Sequence, residues 1–172
     1  MGRMSLPKQE PWLRGPIAGV APILQPVAHS LTQLLEDLLP VLDRLTDEDV
    51  WKRPGSSAPI GYHLAHSTGS MDRLLTYARG EPLSATQWSA LEAEKKCMEL
   101  RPTLAELRQR FQSTVERGLT QVRSTPLESV LEVRLVGRAR LPSNTIGLLY
   151  QAAEHSARHA GQIVTICRVL GY

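Results

Sequence analysis

Apolar positions recur along this chain at spacings of three and four residues, the period of a helix with one buried face. From Pro22 to Leu45 the stripe is Val27, Leu31, Leu34, Leu35, Leu38, Leu39 and Leu42. Pro22 suits a first helical turn, where its missing N–H costs nothing. Pro40 is expected to kink or end the helix near its last turn. Thr46-Asp47-Glu48-Asp49 reads as a cap and a short turn before Pro54-Gly55. A second helix is predicted from about Ser57–Pro59 to Ala78, with Ser57 as N-cap. Its stripe is Ile60, Leu64, Ser67, Met71, Leu74 and Leu75, and Gly80 stops it.

A shorter helical stretch runs from Ser84 to about Met98. A third long helix follows Thr103, whose N-cap role is signalled by Glu106 three residues on. Its inner face is Leu104, Leu107, Phe111, Val115 and Leu119, and it ends near Ser124–Pro126. Residues 127–142 mix charged and apolar positions without helical period, and are expected to form an irregular or weakly extended crossover. Ser143 or Asn144 then caps a last helix, Thr145 to Leu170, ended by Gly171. Four long helices with one long crossover between the third and fourth predict an all-α four-helix bundle. Residues 1–19 are read as an irregular N-terminal arm, with Trp12 and Leu13 pinning it to the body, and 20–172 as one domain.

Composition supports that picture. At 172 residues the chain is long enough for one real core. Apolar residues make up 42%, aromatic ones only 5% with a single Phe, so aliphatic side chains must fill the interior. Twenty basic and 17 acidic residues leave a net charge of +3 without any basic run, so no nucleic-acid partner is expected. The apolar stretch near the N-terminus is broken by Pro16, Pro22 and Pro26, which argues against a signal peptide. No segment approaches eighteen apolar residues, so no membrane span is expected, and the location is read as cytoplasmic. Cys97 and Cys167 form neither a CxxC pair nor a disulfide framework.

The chemistry lies in the histidines. His155 and His159 are spaced i, i+4 on the last helix, which places both imidazoles on one face where they can hold one metal ion. The spacing is not HExxH, so the general base of the zincins is missing. The second helix carries His63 and His66, which cannot both point equally at the bundle axis; one is read as a ligand and the other as its neighbour. A third histidine from another helix would complete an open, reactive type of site. His29 is a further candidate, read more plainly as a hydrogen-bonded or solvent-facing histidine.

The run Ile60-Gly61-Tyr62-His63-Leu64-Ala65-His66, the ending Glu154-His155-Ser156-Ala157-Arg158-His159-Ala160-Gly161-Gln162 and the Trp51-x-x-Pro54 turn together resemble the DinB-like (DinB/YfiT) superfamily. The resemblance covers roughly residues 20–170. It implies a four-helix bundle, often a homodimer, with a divalent metal, Zn or Ni, on three histidines. Carried over by position, those ligands are His66, His155 and His159. Around them, His63, Gln162, Asp72 and Tyr62 are candidates for orienting a ligand or meeting a substrate. Tyr150 is a candidate for the site mouth, and Arg73, Arg158 and Arg168 for an anionic substrate, against plainer readings as packing and solvated surface. Two function classes are expected. One is a metal-dependent thiol transferase or hydrolase-type enzyme acting on a small thiol or an electrophilic small molecule. The other is a non-catalytic, metal-stabilised dimeric bundle with a stress-response or sensing role.

Overall fold

The computed structural model describes residues 9–172. Among them are six α-helices: α1 (Gln25–Leu42), α2 (Ile60–Ala78), α3 (Ala85–Lys95), α4 (Cys97–Leu100), α5 (Leu104–Ser124) and α6 (Thr145–Leu170). The fold is mostly helical. The four long helices pack in the cyclic order α1, α6, α2, α5, with α2 against α6 the most extensive pairing.

Their interior is aliphatic, as the composition requires. Leu24, Leu31, Leu34, Leu38 and Leu42 are buried along α1 and its lead-in, Leu64 and Leu75 on α2, and Leu149 and Ile163 on α6. The single Phe, Phe111, is fully buried on α5. Burial of each such side chain contributes roughly 1.5–3 kcal/mol, so this shared interior is the main stabilising element. Pro40 lies in the final turn of α1, and the helix ends two residues later, as expected, closing through Asp43 N–H to Leu39 O at 3.0 Å. Pro22 opens a 3₁₀ turn, Pro22–Leu24, ahead of the helix proper.

The helix ends follow local side chains. Thr103 and Glu106 form the expected reciprocal cap on α5, and Asp47 adds a third acceptor by taking the N–H of Leu104 at 2.7 Å. Asn144, not Ser143, caps α6 by accepting from Gly147 N–H, and Gly171 ends it in the left-handed conformation. Ser57 does not cap α2; Pro59 occupies that position and no side chain bonds there. The start of α2 is held differently. The Trp51 ring lies so close to Gly61 that a Cβ there would meet it at 2.8 Å. Trp51 donates its indole N–H to Pro102 O at 3.1 Å, so the loop before α2 clamps the beginnings of α2 and α5 together.

One expectation is sharpened and one corrected. The crossover expected to be irregular or weakly extended holds a short hairpin: β1 (Val133–Val136) pairs antiparallel with β2 (Leu141–Asn144), with Val133 opposite Asn144 and Val136 opposite Leu141. Arg134 ties the hairpin to the body by donating to Ala78 O at 2.9 Å, at the carbonyl end of α2. Trp12 and Leu13 do not pin the arm, being 61% and 52% exposed. Pro11 is the buried residue of that turn, and Arg14 pairs with Glu36 at 2.6 Å. Residues 1–8 of the expected arm lie outside the described residues. Among the described residues, no helix is long and apolar enough to cross a membrane.

Candidate metal centre

The face shared by α2 and α6 gathers four of the five histidines. A side chain repeats its direction every three to four residues, so His63 and His66 on α2 meet His155 and His159 on α6 across one helix pair. His66, His155 and His159 each offer one ring nitrogen within 4.8 Å of the others. His155 Nε2 lies 3.2 Å from His66 Nε2, and the three ring centroids are 4.7–5.2 Å apart. All three are half-buried, so one side of the group faces solvent.

Around these rings runs a second layer. His63 is buried, and its Nδ1 lies 2.9 Å from His159 Nδ1. His63 also bonds the backbone of Ala58. His159 Nδ1 is engaged in this way, which leaves Nε2 as its ring nitrogen without a hydrogen-bond partner in that pair. His66 Nδ1 donates to Glu94 Oε1 at 2.8 Å, and Arg73 holds the same carboxylate at 2.5 Å and 3.3 Å. Tyr62 stacks flat on His66, with centroids 5.8 Å apart and planes 7° from parallel, and stands edge-on to His63. Arg158 pairs with Glu154 and approaches His155 Nδ1 at 3.4 Å.

Crowding sets the electrostatics. Burial lowers the His159 pKa, and positive charge on His155, His66 and His63 lowers it further, to about 4. Burial also lowers His63 and His155, helped by His66 in both cases. Burial alone would raise the Glu94 carboxyl, but bonds from His66 and Arg73 outweigh it and hold the pKa below its ordinary value. His155 and His159 are thus kept neutral near pH 7, the state in which imidazole can ligate a metal. Three converging imidazoles suit Zn, Ni, Co, Cu or Fe better than Mg or Ca, and the half-open side leaves room for a further ligand.

Not every candidate residue is brought here. Asp72 turns to Arg117 at 2.9 Å and Gln87 at 2.7 Å, so the carboxylate on the histidines is that of Glu94. Gln162 is exposed and bonds none of the histidines. His29 donates its Nε2–H to Gly15 O, 3.0 Å away, and takes no part in the cluster. Tyr150 is 58% exposed, and Arg168 lines a groove between α1 and α6 instead. Glu94 went unread in the sequence because α3 buries no residue and has no apolar stripe to orient it. The available signal was its charge complement to Arg73, with both residues near helices that carry histidines.

A family model described as the DinB superfamily matches residues 30–163. The chain belongs to the DinB superfamily. The match spans α1 through most of α6 and includes every histidine of the cluster. Among solved structures, a conserved protein from Enterococcus faecalis is similar to this DinB chain, with a TM-score of 0.65 and 16% identity, covering 85% of this chain and 95% of that one. At that identity the likeness concerns the fold. No curated protein matches the sequence.

Proposed function

We propose that this DinB-superfamily chain is a four-helix-bundle protein that binds one divalent metal ion, Zn or Ni, on His66, His155 and His159. We propose further that it acts as a metal-dependent thiol transferase or hydrolase-type enzyme. The observation that carries this reading is the convergence of three imidazole nitrogens within 4.8 Å on a half-open face. A structural metal is normally closed by four protein ligands, whereas three imidazoles with an open side are the arrangement of a reactive one. Superfamily membership supports it, since these proteins are generally metal-binding. A divalent ion held there supplies Lewis acidity and makes a hydroxide or thiolate available near neutral pH.

The chain's own residues do the rest. His63 and Glu94 orient two of the rings through their Nδ1 atoms. Tyr62 covers one ring face of His66 and limits how a substrate approaches it. The substrate is a small thiol with an electrophilic partner, or a small hydrolysable molecule, and the protein works as a homodimer in the cytoplasm. The test is conjugation of a low-molecular-weight thiol to a chloro-aromatic probe by zinc- or nickel-loaded protein. Turnover by the wild type and none by His159→Ala supports the reading. Equal rates in both would remove the metal from the mechanism. Metal binding without turnover on any thiol or ester probe would leave a non-catalytic, metal-stabilised bundle.

A further inference from the structure

We propose that Glu94 is a positioning residue for His66: it fixes the ring in its Nδ1–H tautomer and thereby aims the Nε2 lone pair at the nitrogens of His155 and His159. This rests on the metal reading above and names the device that makes one ligand ready.

The geometry is specific. A carboxylate accepts hydrogen bonds and donates none. Glu94 Oε1 lies 2.8 Å from His66 Nδ1, so that nitrogen must carry the proton. In the neutral ring the other nitrogen, Nε2, then carries the lone pair, and it is the atom 3.2 Å from His155 Nε2. Arg73 holds Glu94 from its far side, with one guanidinium nitrogen 2.5 Å from Oε2 and another 3.3 Å from Oε1. The carboxylate is therefore oriented from outside the histidine group and nearly buried, with its side chain 11% exposed. A histidine ligand whose second nitrogen is held by a carboxylate is a recurrent arrangement at metal sites.

Gly69 makes room for it. A Cβ at that position would lie 2.1 Å from Glu94 Oε2 and 2.9 Å from the Arg73 guanidinium. Gly69 sits inside α2, where alanine favours the helix more than glycine does. Glycine here costs the helix stability, and what it leaves clear is the Glu94 carboxylate. Because that carboxylate is the end of a flexible side chain, Gly69→Ala displaces it without breaking the fold.

The experiment compares wild type, Glu94→Gln and Gly69→Ala by zinc affinity against a chromophoric chelator, thermal melting of the metal-free proteins, and ¹⁵N-imidazole NMR of His66 without metal. Expected are the Nδ1–H tautomer in the wild type and roughly 10–100-fold weaker zinc binding in both variants. Gly69→Ala should melt no lower than the wild type, which separates loss of positioning from loss of fold. Unchanged affinity in Glu94→Gln, or an Nε2–H tautomer for wild-type His66, overturns the proposal. If the wild type takes up no zinc, the metal reading fails, and the tautomer measurement alone decides the role of Glu94.

Discussion

Two polar clusters sit on the same helical body and are built on opposite plans. Near the C-terminus, Tyr172 donates its hydroxyl to Asp49 Oδ1, Lys52 reaches the same oxygen at 2.9 Å, and Thr46 donates N–H and O–H to Oδ2 at 2.9 and 2.7 Å. Every donor there meets an acceptor of opposite character. The bond from Tyr172, helped by Lys52 and Thr46, holds the Asp49 carboxyl well below its ordinary value, and the Asp49 bond raises Lys52. Between α2 and α6, by contrast, four rings that repel one another when protonated are pressed together, and Glu94 is the carboxylate that answers them. The first cluster satisfies itself and ties the chain end to the loop before α2. The second spends stability on pressing basic nitrogens together, with burial lowering the pKa of His63, His155 and His159, an arrangement that recurs at functional sites.

That contrast breaks most visibly under substitution of a ligand. His159→Ala should weaken zinc binding by more than the 10–100-fold typical of residues that only orient a ligand, whereas Asp49→Asn should leave it unchanged. Chelator competition on both proteins measures this. Equal loss in the two would erase the distinction between the clusters.

Ligand-linked stability comes next. At about 100 times its dissociation constant, an ion that binds only the folded chain adds about 2.7 kcal/mol. For a chain of this size that raises Tm by roughly 5–10 °C. Tyr172→Phe should keep the full rise and His159→Ala should show none.

Acid separates the clusters by window. His159 titrates near 6.5 when unfolded and near 4 when folded. As pH falls below about 6.5, the unfolded chain takes up protons that the folded cluster refuses, so stability drops across that interval until pH nears 4. His63 and His155 act in the same direction. Asp49 is lowered from 3.8, so its contribution persists down to that pH and is lost only below it. Melting curves of metal-free protein should fall from pH 7 to pH 4.5 in the wild type and fall less in His159→Gln. Asp49→Asn should keep the wild-type slope there. The smallest effect is that of Tyr172→Phe at pH 7, a drop in Tm of no more than a few degrees with unchanged zinc affinity.

Much of the helical frame was legible because burial imposes a period. Leu31, Leu34, Leu38 and Leu42 mark one face of α1 whatever the partners are, and Thr103 with Glu106 announces α5 by reciprocal bonds confined to one turn. The hairpin was hidden because Val133, Leu135 and Leu141 face outward, so apolar positions there do not report burial. Its turn also uses Gly137 and Arg140 at positive φ, without a short turn pair between the strands. In the site, histidine spacing told which rings share a helix face. It could not tell that His63 would bond His159, or that a carboxylate from α3, 28 residues beyond His66, would bond His66. Both depend on how elements cross, which local periodicity does not encode. Asp72 shows the same limit, since its partners Gln87 and Arg117 come from α3 and α5.

The most direct test is elemental analysis of protein purified without an affinity tag, comparing the wild type with His66→Ala. Close to one zinc or nickel ion per wild-type chain is expected, with a small residue of that in the variant. Undiminished metal in His66→Ala, or none in the wild type, would contradict this expectation.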